Sequence, residues 1–186
     1  MLTAASPRPL NLGFSSLRAA LLGLVIGGAA ACGGPGGQGG ECVGGKACTC
    51  NDGSCDVVCG DGGAGCSFMC GAGQTCSFHC PGGSCAFQCR DGADCTTTCE
   101  GGGCSLECDD AATCTGSCAG GSCGMSCDGA ESCVSDCSGD GCSLACEATA
   151  VCEEIGCNMS CGVHCGGAGT CASSCGVADG GCSLVP

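Results

Sequence analysis

The feature that most constrains this chain is the spacing of its cysteines. From Cys55 onward nearly every cysteine belongs to a C-x-x-x-C pair, and the pairs open at Cys55, Cys66, Cys76, Cys85, Cys95, Cys104, Cys114, Cys123, Cys133, Cys142, Cys152, Cys161 and Cys171, with Cys182 opening an incomplete last one. Cys76, Cys95, Cys114, Cys133, Cys152 and Cys171 stand 19 residues apart, and Cys85, Cys104, Cys123, Cys142 and Cys161 form a second column at the same spacing. Self-similarity at a fixed short period marks a solenoid, in which each unit stacks only on its neighbours.

Two cysteines four residues apart share one face of an extended segment together with the residue midway between them. In the half-units opening at Cys66, Cys85, Cys104, Cys123, Cys142, Cys161 and Cys182 that residue is Phe68, Phe87, Leu106, Met125, Leu144, Val163 and Leu184, all apolar. Its neighbours, such as Ser105 and Glu107, are polar or small, which is the alternation of a strand with one buried face. A helix also aligns positions four apart, but Gly-rich turns every nine or ten residues leave room for no more than one helical turn. The other half-units carry Val57, Phe78, Thr97, Gly116, Ser135 and Ser173, mostly smaller. Large residues on one sheet then face small ones on the other. The expected fold is all-β: a disulfide-braced two-sheet β-solenoid of about seven 19-residue coils, at a strand spacing of about 4.8 Å.

Composition alone suggests disorder, with 40 Gly, four Phe, no Trp and a formal charge of -14. The 31 cysteines reverse that expectation if the chain is exported, because an oxidising compartment turns them into a scaffold. The charge also excludes a nucleic-acid partner, since four Lys and Arg against 18 Asp and Glu offer no basic footprint.

The N-terminus carries the export signal. Arg8 and Arg18 precede the small and apolar run from Ala19 to Ala31, which is too short for a permanent membrane span and right for a signal peptide. It ends in Ala29-Ala30-Ala31-Cys32, which resembles the lipobox of bacterial lipoproteins, with Ala29 where that family usually has Leu. The resemblance implies a diacylated Cys32, and ordinary cleavage with Cys32 unmodified is the other reading. The Gly-rich stretch from Gly33 to Gly40 then serves as a flexible tether. The organisation expected is a signal peptide (1–31), lipidated cysteine and tether (32–41), N-terminal cap (42–54) and solenoid (55–186).

In plan, the architecture resembles the disulfide-braced β-helix of insect antifreeze proteins. It lacks their rows of Thr-x-Thr, because only Thr96 and Thr98 flank a middle residue in that way. The chain is more similar to exported cysteine- and glycine-rich repeat lipoproteins of bacteria, and that resemblance implies an outer-membrane lipoprotein and no particular activity.

In a two-sheet coil the second cysteine of one half faces the first of the next. The expected bridges are therefore Cys80 to Cys85, Cys76 to Cys89, Cys99 to Cys104 and Cys95 to Cys108. The competing pattern joins stacked neighbours such as Cys76 and Cys95. The pair opening at Cys152 has one residue too many, and a β-bulge at Glu153 and Glu154 is expected to turn Ile155 and Cys157 inward and leave both acids in solvent.

Chemistry-bearing groups are few. Thiolate sites for zinc are the rival reading of the cysteines, but structural zinc favours C-x-x-C over the strand-period spacing seen here. His79 and His164 are expected on opposite sheets and far apart, so no catalytic dyad forms between them. Asp109, Asp128 and Glu147 occupy one place in successive return turns, where calcium could relieve their repulsion; otherwise they form a solvated acidic stripe. The functional expectation is a membrane-tethered extracellular structural or interaction protein without catalytic activity and without a resident cofactor, with a thiolate metal-binding protein of the envelope as the alternative.

Overall fold

The computed structural model describes residues 30–31, 40–42, 47–50, 53–60, 62, 64–174 and 183–185. Cys32, most of the signal peptide and most of the tether lie outside them, as do Cys175 and Cys182.

The described residues form two parallel sheets, and the chain alternates between them at every strand. Strands are numbered in chain order. The nine-stranded sheet holds β1 (Ala30–Ala31), β3 (Ala47–Cys50), β5 (Ser67–Cys70), β7 (Ala86–Arg90), β9 (Ser105–Asp109), β11 (Gly124–Asp128), β13 (Ser143–Glu147), β15 (Gly162–Gly166) and β17 (Ser183–Val185). The eight-stranded sheet holds β2 (Gly40–Cys42), β4 (Ser54–Cys59), β6 (Thr75–Cys80), β8 (Asp94–Cys99), β10 (Thr113–Cys118), β12 (Ser132–Asp136), β14 (Val151–Ile155) and β16 (Thr170–Ser174). This is the β-solenoid that the cysteine period predicts. Strands β2 and β3 pair with β4 and β5, so both sheets continue below Cys55.

Register follows the repeat. Cys76, Cys95, Cys114, Cys133, Cys152 and Cys171 lie side by side along one sheet. Alternation then buries the cysteines and the residue between them, as in β4, β6 and β8, and leaves the rest outside. The central row of the nine-stranded sheet runs Phe68, Phe87, Leu106, Met125, Leu144 and Val163, each buried. Opposite it stand Val57, Phe78, Thr97, Gly116, Ser135 and Glu154. Where both rows are large, the rings of Phe68, Phe78 and Phe87 stack with centroids 4.9 to 5.9 Å apart.

Glycine at the tight turns is a steric necessity. The turns stack directly on one another, with Ser84 donating its backbone N–H to Gly102 and Gly103 donating to Gly121. A β-carbon on Gly102 would lie 2.6 Å from the Gly121 carbonyl oxygen, and the residue also holds φ at +78°. At Gly102 and Gly121 the stacked backbone leaves no room for a side chain.

The extra residue at Cys152 is absorbed later than expected. Alternation continues through β14, so Glu154 aligns with Ser135 and Ser173 and is fully buried. Ile155 aligns with Asp136 on the outer side and is half-buried. The irregularity falls on Gly156, at φ +74°, which resets the phase so that Cys157 turns inward and pairs with Cys161. The bulge at Glu153 and Glu154 therefore does not form. A glycine accepts a positive φ at little cost, whereas two glutamates inside a hydrogen-bonded strand do not.

Candidate functional site: disulfide columns and an acidic edge

Every described cysteine is bridged, and each bridge joins the end of one strand to the start of the next. Seven bridges line the edge of the tight turns: Cys42–Cys48, Cys59–Cys66, Cys80–Cys85, Cys99–Cys104, Cys118–Cys123, Cys137–Cys142 and Cys157–Cys161. Seven more line the edge of the return turns: Cys50–Cys55, Cys70–Cys76, Cys89–Cys95, Cys108–Cys114, Cys127–Cys133, Cys146–Cys152 and Cys165–Cys171. Their Cα separations of 5.8 to 6.5 Å suit a bridge between two facing sheets.

The expected bridges Cys80–Cys85 and Cys99–Cys104 are present; Cys76–Cys89 and Cys95–Cys108 are not. Cys76 joins Cys70, Cys89 joins Cys95 and Cys108 joins Cys114. A coil climbs as it turns, so Cys76 faces Cys70 half a coil on one side and Cys89 half a coil on the other. Closing the return turn spans six residues, about half the loop that Cys76–Cys89 would close, and each doubling of a loop costs about 0.6 kcal/mol more. The rule is one of shortest loops at both edges. A bridged sulfur is also no thiolate, so in this oxidised state these residues hold no zinc.

The carboxylates Asp109, Asp128 and Glu147 do fall on one column, at the outer ends of β9, β11 and β13, and all three are exposed. Arg90 precedes them in register, its Nε 3.5 Å from Asp109 Oδ2, an exposed ion pair of little net worth. Asp128 and Glu147 face no such cation across the same column, where Gly166 follows.

His79, expected to lie far from His164, has polar partners of its own. Its Nδ1 lies 2.8 Å from Thr98 Oγ1 and its Nε2 3.6 Å from Glu100 Oε1, while Thr98 donates to the Phe78 carbonyl. The signal was available, because writing the chain in rows of 19 sets His79 beside Thr98. His164 stands on β15 in the other sheet, away from this group. The hydroxyl is already engaged with a backbone carbonyl on an open sheet face, which makes the trio a surface brace.

Glu154 is the one described group driven far from its ordinary titration. Burial pushes its carboxyl up to about 7, Ser135 on the neighbouring strand pulls it partly back, and the charge of Asp136 adds repulsion. Ser135 is close enough to polarise the carboxyl, yet neither of its oxygens completes a hydrogen bond.

Fold and bridges together define a disulfide-braced parallel β-solenoid. No protein-family model, no curated protein and no solved structure matches the chain.

Proposed function

We propose that this protein is an exported structural or interaction rod without catalytic activity, held at the outer membrane by a lipid on Cys32. The observation that carries the reading is the unbroken run of bridges between consecutive strands, which requires an oxidising compartment and replaces an ordinary core. Export and tethering rest on the run from Ala19 to Ala31, on Cys32 and on the glycines after it. The acidic surface favours solubility and repels anionic lipid, which leaves the acyl group as the membrane contact. Calcium between Asp109, Asp128 and Glu147 belongs to the same proposal, and calorimetry at millimolar calcium reads it directly.

The thiolate metal-binding alternative draws on the same sulfur atoms, since clusters such as Cys70, Cys89 and Cys95 lie within 4.8 Å of one another and would offer several ligands if reduced. Thiol counting on protein purified natively, under denaturation, separates the two. The rod predicts almost no free thiols, whereas about thirty free or metal-protected thiols would overturn it. The tether is checked by mass spectrometry of the membrane fraction, with Cys32→Ser expected to shift the protein into the soluble fraction.

A further inference from the structure

The tight-turn edge holds more than a set of independent bridges. The Cys85 sulfur lies within 4.8 Å of both sulfurs of Cys59–Cys66, the Cys104 sulfur within the same distance of Cys80–Cys85, and the Cys123 sulfur within the same distance of Cys99–Cys104. Four consecutive bridges therefore form one continuous run of neighbouring sulfurs. Along it Cys59, Cys66, Cys80, Cys85, Cys99, Cys104 and Cys118 are buried, and only Cys123 is half-exposed.

A cavity of about 30 Å³ opens at that exposed end. Gly116 supplies no side chain to the central row, and the space it leaves is lined by Cys99, Cys104, Cys118, Cys123 and Met125. Gly116, Ser117 and Gly124 around it are half-buried rather than closed off. The volume admits the head of a small thiol and not a folded partner, since a single water needs about 10 to 15 Å³.

We propose that this column is a thiol–disulfide exchange relay with its port at Gly116, taking a small-molecule thiol as substrate. The incoming thiolate attacks the Cys118 sulfur, forms a mixed disulfide there and expels the Cys123 thiolate. Cys123 then attacks Cys99, forming Cys99–Cys123 and expelling the Cys104 thiolate. Cys104 attacks Cys80 and expels Cys85, and Cys85 attacks Cys59 and expels Cys66. Each step breaks one S–S bond and makes one: the small thiol is the reductant and stays in the mixed disulfide at Cys118, the later exchanges need no further oxidant or reductant, and a single negative charge moves along the column. Every relayed bridge spans a whole coil, so the relay converts turn clips into braces between coils.

The test uses the full oxidised chain with one equivalent of 2-mercaptoethanol at about pH 8, where a useful fraction of thiol is ionised. Samples are quenched at intervals with an alkylating reagent and mapped by mass spectrometry. Alkylated cysteine is expected first at Cys123 and then at Cys104, Cys85 and Cys66 in that order, with Cys99–Cys123 and Cys80–Cys104 among the new bridges. Label confined to Cys118 and Cys123, or arriving at all four positions together without new bridges, would overturn the relay. The port is tested without touching a cysteine. An added β-carbon at Gly116 meets Met125 Sδ at 3.4 Å and Thr97 Oγ1 at 3.5 Å, ordinary contacts that fill the gap without strain. Gly116→Ala should slow labelling of Cys123 about tenfold and leave Cys171, half-exposed in the other column, at its original rate. Unchanged labelling of Cys123 would sink the port.

Discussion

Reduction of the bridges, fourteen among the described residues, abolishes the sheet signal in circular dichroism, and thiol-blocked protein does not regain it on removing the reductant; this is the expected result. The interior is one side chain wide. Apart from cysteine it consists of a row of apolar residues facing a row that dwindles from Phe78 to Thr97, Gly116 and Ser135, with small residues such as Ala93, Ala111 and Ala130 at the return turns. Ordering each residue costs about 1 to 2 kcal/mol of backbone entropy, which so thin a row does not offset. Each short loop closed by a bridge removes about 2 kcal/mol of that disadvantage from the unfolded chain, although the contributions of so many are not additive. A domain's whole margin is about 5 to 15 kcal/mol, so loss of the set leaves nothing to hold the coils. A blocked, reduced chain that keeps its sheet signal would show that the backbone ladder suffices alone.

Glu154 makes stability depend on pH in the direction opposite to the usual carboxylate. Its unfolded value is about 4.5 and its folded value about 7. Below the first, both states are protonated and the burial is uncharged. Between them the unfolded chain ionises while the folded one keeps its proton, so stability falls as pH rises, and the loss levels off above the folded value. The full loss is about 3 kcal/mol. No cation among the described residues is found to offset it: Ser135 and Ser173 flank Glu154 in register, and the charge that acts on it, Asp136, repels it. Glu154→Gln is therefore expected to flatten the profile between about pH 4.5 and about pH 7 and to be the more stable protein above neutrality. Denaturant unfolding of both oxidised proteins across that range checks it, and parallel profiles would show that the carboxyl reaches water.

The repeat, the alternation and the large row against the small row were all legible, because each is a local pattern repeated often enough to cancel the noise of single positions. Cys80–Cys85 was legible for the same reason. Cys89–Cys95 was not, since the choice between it and Cys76–Cys89 depends on the climb of the coil, and spacing within one coil carries no information about climb. At Glu154 alternation alone gave the right answer, and the expectation that a strand would rather bulge than bury an acid gave the wrong one. Gly156 was the better place to absorb the extra residue, because a glycine tolerates the required φ there. His79 and Thr98 were hidden by their distance in sequence, although the period itself brings them together.

Because every described bridge closes a single turn, none of them joins two strands stacked in the same sheet. Along the long axis, cohesion rests on the backbone ladder and the stacked side chains alone. A pull on the two ends would therefore peel the described coils off one at a time, each extending its strands while its turns stay closed by intact sulfur bonds. Across its width the molecule is covalently clasped; in tension it is a spool.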